Sequence, residues 1–373
     1  MMVLGLVCVA LMLFYAGYLL RCAWYFGRIG SSEEEVEEWP SVVVVVPARD
    51  EEGKVGKCVA NLVGQDYPAG KMEIVVVNDH SGDGTVAEAR AAGQGHPGFK
   101  VVDLEAVQGT AYKKAAVKRG IEVSEGEWVL TTDADCRMGP DWLRTMAGQF
   151  RENVGMVSGP VELTGKGMFQ EMQALEFMGL VAVGAGSIAA GAPNMCNGAN
   201  LAYRRAAFEQ VGGFSGIDHI ASGDDELLMH KIAAETDWEV VFAKDRKAVV
   251  KTEALANWSA FRAQRKRWVS KSRAYKRKGI TAILVLSYLA ILGIPLLLTL
   301  AFFHPTLWYF FAASLSLKVL SEGIILSRAA TFFARFGLLK WLLPEQLAHI
   351  AYVLWVGLAG NARSYNWKGR TVK

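Results

Sequence analysis

Cysteine is scarce and scattered in this chain of 373 residues. Cys8, Cys22, Cys58, Cys136 and Cys196 are odd in number and include no C-x-x-C pair. That pattern excludes a zinc module and a dense disulfide framework, and it fits reduced thiols facing a cytoplasm. No Cys/His cluster has metal-ligand spacing, and His80, His96, His219 and His230 read as surface or hydrogen-bonded residues. A formal net charge of +3 is too small for a general nucleic-acid binder, so no nucleic-acid partner is expected. Internal repeats and low-complexity tracts are also missing, which excludes solenoids and arrays.

Charge, too, is missing from long stretches at both ends. Met1 to Leu20 and Ile280 to Phe303 carry no charged side chain, and each is long enough to cross a bilayer core of about 30 Å. Leu307 to Leu326 is a third apolar stretch, holding Lys318 and Glu322, and Leu342 to Leu358 is a fourth of marginal length. The first stretch lacks a basic leader and an A-x-A site and is followed by Arg21 and Arg28, so it reads as an anchor over residues 1–28. Lys318 and Glu322, four apart, share a helical face and are expected to pair inside the bundle.

The basic residues set the topology. Arg21 and Arg28, Lys271 to Lys278, and Arg328, Arg335 and Lys340 flank the spans on one side, which the positive-inside rule makes cytoplasmic. The basic tail, Arg363, Lys368, Arg370 and Lys373, breaks the scheme if Leu342 to Leu358, the last of the C-terminal membrane helices expected over residues 280–360, truly spans. The expected location is an inner or plasma membrane with the soluble region cytoplasmic.

Between the anchors, after an acidic linker from Ser31 to Glu38, lies a soluble region over residues 39–255. Ser41 to Val46 is a β-branched run that reads as a buried parallel strand. Helix is expected over Glu52 to Gly64, Val86 to Ala92 and Lys113 to Val123, and strand over Glu73 to Val77, Lys100 to Leu104 and Trp128 to Thr132. This alternation predicts an α/β fold with a mostly parallel sheet, its ligand at the carboxyl ends of the strands. The Met and aromatic residues from Met168 to Met178 recur at helical spacing and read as core in preference to a membrane-facing groove.

Those strand ends are polar. The first runs into Pro47, Arg49, Asp50 and Glu51, the second into Asn78, Asp79 and His80, and the last into Asp133 and Asp135. Single aspartates could cap turns or helices, but three acidic ends on one sheet edge suit a metal–diphosphate ligand. Asp133 and Asp135, two apart in extended chain, face one side and could both address Mg²⁺ or Mn²⁺. Asp224 and Asp225 either cap the helix expected over Glu226 to Ala234 or supply a general base, and both roles are expected, divided between them. Nine Lys or Arg lie between Arg262 and Lys278, a basic interfacial helix over residues 256–278 suited to anionic lipid.

The ordered set P-A-R-D-E, N-D-H-S-G-D-G-T, K-K-A-A-V, D-A-D, N-G-A-N, G-D-D-E and Q-R-K-R-W, spanning Val42 to Trp268, resembles the signature of family 2 glycosyltransferases with the Rossmann-like GT-A fold. The resemblance implies donor contacts at Pro47, Arg49, Glu51, Asp79, Lys113 (or Lys114) and Asp133. It also implies a metal on Asp133 and Asp135, a catalytic base at Asp225, and Gln264 and Arg267 near the donor diphosphate. Trp268 and Asp224 fall on the acceptor side. G-D-D-E stands where relatives show E-D or T-E-D, a mild departure at Asp224. The implied activity is inverting transfer of a sugar from a nucleotide diphosphate-sugar, a UDP-sugar on the resemblance, to a membrane lipid or glycan. A processive polysaccharide synthase is the nearest rival. A nucleotidyltransferase or a non-catalytic scaffold leaves the later motifs unexplained.

Overall fold

The computed structural model describes residues 1–30, 38–68, 70–105, 111–359, 365–367 and 370–372. Residues 31–37, most of the acidic linker, and Arg363, Lys368 and Lys373 of the basic tail lie outside them. In chain order the elements begin with α1 (Met2–Arg28), β1 (Val42–Ala48), α2 (Val55–Val63), β2 (Met72–Asn78), α3 (Thr85–Gly93), β3 (Phe99–Asp103), α4 (Tyr112–Glu122) and β4 (Trp128–Thr131). Next come α5 (Trp142–Ala147), β5 (Val154–Ser158), β6 (Val161–Thr164), α6 (Met168–Ala189), β7 (Leu201–Arg204), α7 (Arg205–Gln210), α8 (Glu226–Glu235), β8 (Glu239–Phe242) and β9 (Val250–Glu253). The rest is helical, α9 (Trp258–Ser270), α10 (Lys278–Ala301), α11 (Leu307–Phe333) and α12 (Leu342–Ala359), before a short hairpin of β10 (Tyr365–Trp367) and β11 (Arg370–Val372).

The chain forms two compact units. One comprises residues 29–164, 191–254 and 364–373, and the other residues 1–28, 165–190 and 255–363. The expected soluble region over residues 39–255 is therefore interrupted: Gly165–Ala190 clusters with the helical unit.

The first unit is built on a seven-stranded sheet in the order β3-β2-β1-β4-β7-β5-β8. β1 pairs in parallel with β2 and β4, and only β7 runs antiparallel, against β4 and β5. Val42 to Val46 are fully buried, which is why β1 is apolar on both faces and central. Parallel pairing in register (Ala48 opposite Asn78, Val45 opposite Thr131) brings the polar loops after β1, β2 and β4 to one edge. A second, two-stranded parallel ladder joins β6 and β9.

Among the described residues, four helices of the helical unit are long and apolar enough to cross a membrane: α1, α6, α10 and α11. The fourth is α6 rather than the marginal α12. Of its most apolar window, 72% is buried within the protein, so the Met168–Met178 segment lies in a helix of core character that also has spanning length. Close helix approach explains two glycines. A Cβ at Gly186 would lie 2.2 Å from the Cys22 carbonyl oxygen, and one at Gly5 would lie 2.5 Å from the Phe310 ring. The expected Lys318–Glu322 pair is formed at 2.8 Å. Gln346 bonds both partners, and the Tyr15 hydroxyl donates to Glu322 at 2.6 Å, so α1, α11 and α12 share one buried polar hub.

Candidate active site

The β1 and β2 loops are laced together before any ligand is considered. Gly82 N donates to Asp50 Oδ1 at 2.9 Å, Asp50 N to Ser81 Oγ at 3.2 Å, and Glu51 N to Thr85 Oγ1 at 2.7 Å. Asp50 (φ 48°) and His80 (φ 55°) hold left-handed backbone, costly outside glycine unless the surroundings enforce it. Arg49 reaches across, with Nη1 donating to the Asp79 carbonyl at 2.8 Å and lying 3.9 Å from Asp79 Oδ1. The Asp79 carboxylate is itself buried, with the half-exposed His80 Nδ1 at 3.1 Å. Arg49, Glu51 and Asp79 thus belong to one laced double loop at the carboxyl edge of the sheet, with Pro47 at the end of β1 beside it.

Lys113, on the first turn of α4, joins the motifs that follow. Its Nζ lies 2.8 Å from Asp133 Oδ1 and 3.3 Å from Asp224 Oδ2. Burial works against the charge, but the carboxylates of Asp133, Asp224 and Asp225 outweigh it and raise the Lys113 pKa above its ordinary value. Its neighbour Lys114 points elsewhere. The buried Lys114 Nζ donates to the carbonyls of Ile220 at 2.5 Å and Ser222 at 2.6 Å, fixing the loop that leads into Asp224. Of the two lysines, Lys113 faces the acidic cluster and Lys114 builds its wall.

Asp225 is the N-cap of α8. Its Oδ1 accepts from Glu226 N at 2.7 Å and its Oδ2 from Gly198 N at 3.1 Å. The capping role therefore falls to Asp225, while Asp224 turns to Lys113. Gly198 is held in place by its own carbonyl, which accepts from Thr131 Oγ1 at 2.9 Å, so the N-G-A-N segment is pinned to β4. Asn200 anchors the same segment from below, bonding Pro160 O and Ala248 O at 2.8 Å each and accepting from Trp142 Nε1 at 3.0 Å.

Asp133, Asp135 and Cys136 offer ligand atoms within 4.8 Å of one another. The two carboxylates suit a hard divalent cation. The Cys136 thiol, a soft donor, suits such a cation less well; burial and the neighbouring Asp133 and Asp135 raise its pKa well above the ordinary range. The aspartate pair alone makes the donor set fit. A cavity of 520 Å³ lined by Trp39, Lys71, Trp128 and Phe150 lies at the opposite, amino-terminal ends of β1 and β4, away from this chemistry.

In the helical unit, Gln264, Arg267 and Trp268 are half-buried on α9. Between them sits Arg265, 1% exposed, and its burial was not legible from a run of basic residues. Its Cζ lies 4.2 Å from the Trp268 ring, 4.7 Å from Phe261 and 5.7 Å from Tyr352, and its Nη2 donates to Glu176 Oε2 at 2.5 Å. The available signal is spacing: Phe261, Arg265 and Trp268 fall on one face of a helix.

A family model described as Glycosyl transferase family 21 matches residues 4–373. The chain is 29% identical over 219 residues to glycosyltransferase AglE of Haloferax volcanii, covering 55% of this chain and 65% of that one. It is 26% identical over 252 residues to a β-monoglucosyldiacylglycerol synthase of Trichormus variabilis, covering 65% of this chain and 51% of that one. The chain thus spans between half and two thirds of those relatives. Among solved structures, mannosyltransferase PcManGT from Pyrobaculum calidifontis, in complex with GDP-Man and Mn²⁺, superposes with a TM-score of 0.61 at 21% identity, over 96% of this chain and 98% of the other. That match establishes the Rossmann-like GT-A fold.

Proposed function

This chain belongs to glycosyl transferase family 21, and on that premise we propose that it is an inverting hexosyltransferase of the family 2 type, moving one sugar from a nucleotide diphosphate-sugar to a membrane lipid. The observation that carries this reading is the placement of Lys113 Nζ against both Asp133 and Asp224, which unites a donor-side and an acceptor-side motif at one sheet edge. Pro47, Arg49, Glu51 and Asp79 would seat the nucleotide in the double loop. Asp133 and Asp135 would hold Mg²⁺ or Mn²⁺, whose charge offsets that of the departing diphosphate.

Asp225 is the proposed base. Two backbone N–H groups fix its carboxylate, one on each oxygen. The acceptor hydroxyl loses its proton to Asp225 as its oxygen attacks the anomeric carbon; the bond to the diphosphate oxygen breaks on the opposite face, inverting the centre. Arg267 and Gln264, by resemblance, serve the donor phosphates, and Trp268 offers a ring face to the acceptor. The donor sugar is a UDP-sugar on the same resemblance.

A lipid acceptor is favoured over a growing polymer by the polar hub of the helical unit. A channel needs open polar lining, whereas Lys318, Glu322, Gln346 and Tyr15 satisfy one another in a closed knot. The basic flanks of the spans support a cytoplasmic site. Membranes incubated with labelled nucleotide sugars should yield label in the organic phase. Label recovered only in high-molecular-weight glycan would replace this reading with the synthase.

A further inference from the structure

Lys113 and Lys114 are adjacent and differently held. Lys114 is locked by two short carbonyl bonds, at 2.5 and 2.6 Å. Lys113 instead rests on side chains, 2.8 Å from Asp133 Oδ1 and 3.3 Å from Asp224 Oδ2, and its own side chain is 18% exposed. Beside it lies Gly198, where a Cβ would sit 3.2 Å from Asp224 Oδ2, a tight approach, and 3.4 Å from Lys113 Nζ, an ordinary contact. An ammonium held only by side chains therefore sits on a carboxylate that a divalent ion would also need.

We propose that Lys113 is a tethered place-holder for the metal: its ammonium occupies Asp133 until a divalent ion displaces it toward Asp224. The inference rests on the reading of Asp133 and Asp135 as metal ligands. Its physical content is competition. A cation on the Asp133 carboxylate would lie within a few ångströms of this ammonium, and the two positive charges would repel, so each weakens the other's hold. Metal loading then requires the ion to supplant Lys113, and Asp224 gives the displaced charge a partner, so the acceptor-side carboxylate feels whether the donor side is loaded. Weak metal binding before the nucleotide arrives follows directly, with the diphosphate supplying the missing ligands.

The test is a Mn²⁺ titration of the full-length protein in detergent without nucleotide, following the free-ion signal by electron paramagnetic resonance. Lys113→Met should bind Mn²⁺ about tenfold more tightly than the wild type, the scale expected of a partly screened ion pair removed from competition. Lys113→Arg, which keeps the charge, should show no such gain. Asp224→Asn, which removes the displaced ammonium's second partner, should bind Mn²⁺ no more tightly than wild type. Lys113→Met should lose sugar transfer while its metal affinity rises, a split that general misfolding cannot produce. Unchanged or weaker Mn²⁺ binding in Lys113→Met overturns the proposal, as does the absence of binding in both proteins. A wild type that binds Mn²⁺ in the predicted order but transfers no sugar would sink the functional reading and leave the place-holder standing.

Discussion

Arg265 lies against Trp268 with its Cζ 4.2 Å from the indole, and Glu176 holds the same guanidinium at 2.5 Å. A charge this buried is held by one carboxylate and a wall of rings. Arg265→Ala should therefore cost about 3–5 kcal/mol, the penalty for stranding a buried partner, seen as a lowered thermal midpoint and a red-shifted tryptophan emission. Trp268→Ala leaves the ion pair intact. It should impair use of the acceptor more than hydrolysis of the donor, which separate assays of lipid product and free sugar would distinguish.

The Lys318–Glu322–Gln346 hub makes a double-mutant comparison informative. Lys318→Met alone leaves Glu322 buried without its cation, and Glu322→Gln alone strands Lys318. Each should destabilise by about 3 kcal/mol or more, and the double variant by less than the sum. Detergent-solubilised yield and midpoint would show it. Strict additivity would mean that the two groups do not depend on one another.

Cys58 and Cys196 should differ sharply in reactivity. Burial pushes the Cys58 thiol up to about 12, whereas Cys196 is half-buried. Maleimide at neutral pH should label Cys196 first and reach Cys58 only on unfolding, as peptide mass analysis would record. A raised folded pKa means that the stability tied to the neutral Cys58 thiol is full below its unfolded value, roughly 8.5, and is lost as pH climbs toward the folded one. Cys58→Ala should accordingly flatten the fall in thermal midpoint above pH 9.

Metal removal should act through the aspartate pair. Chelation should abolish transfer, with Mg²⁺ or Mn²⁺ restoring it, and Asp135→Asn should raise the metal concentration needed for half-maximal donor binding by about tenfold or more. Activity that survives exhaustive chelation would remove the metal from the mechanism.

Much of the fold was legible because its signals are local. The run from Val42 to Val46 could only be a buried strand, and the alternation up to Trp128 gave β1 to β4 with ends shifted by one or two residues. The second half was less legible. β7 follows directly on the N-G-A-N segment and is only four residues long, and its antiparallel direction depends on partners distant in sequence. α6 spreads its apolar residues around most of the helix, with Glu171 and Glu176 among them, so periodicity could not say whether it was core or span. At the site, the sequence offered Lys113 and Lys114 as equals, because which lysine faces the cluster depends on the Ile220–Ser222 loop, more than 100 residues away. Which of Asp224 and Asp225 caps α8, and that Arg265 is a buried ion, depend likewise on tertiary partners: a charged residue reads as solvated unless those are known.

The most direct test compares Asp225→Asn with wild type in a lipid-transfer assay with a labelled nucleotide sugar, alongside equilibrium binding of the donor. Loss of a positioned base predicts a fall of about 10²- to 10⁴-fold in transfer to the organic phase with donor affinity nearly unchanged. Substantial residual transfer in that variant, or its loss in step with donor binding, would contradict Asp225 as the base of an inverting glycosyltransferase.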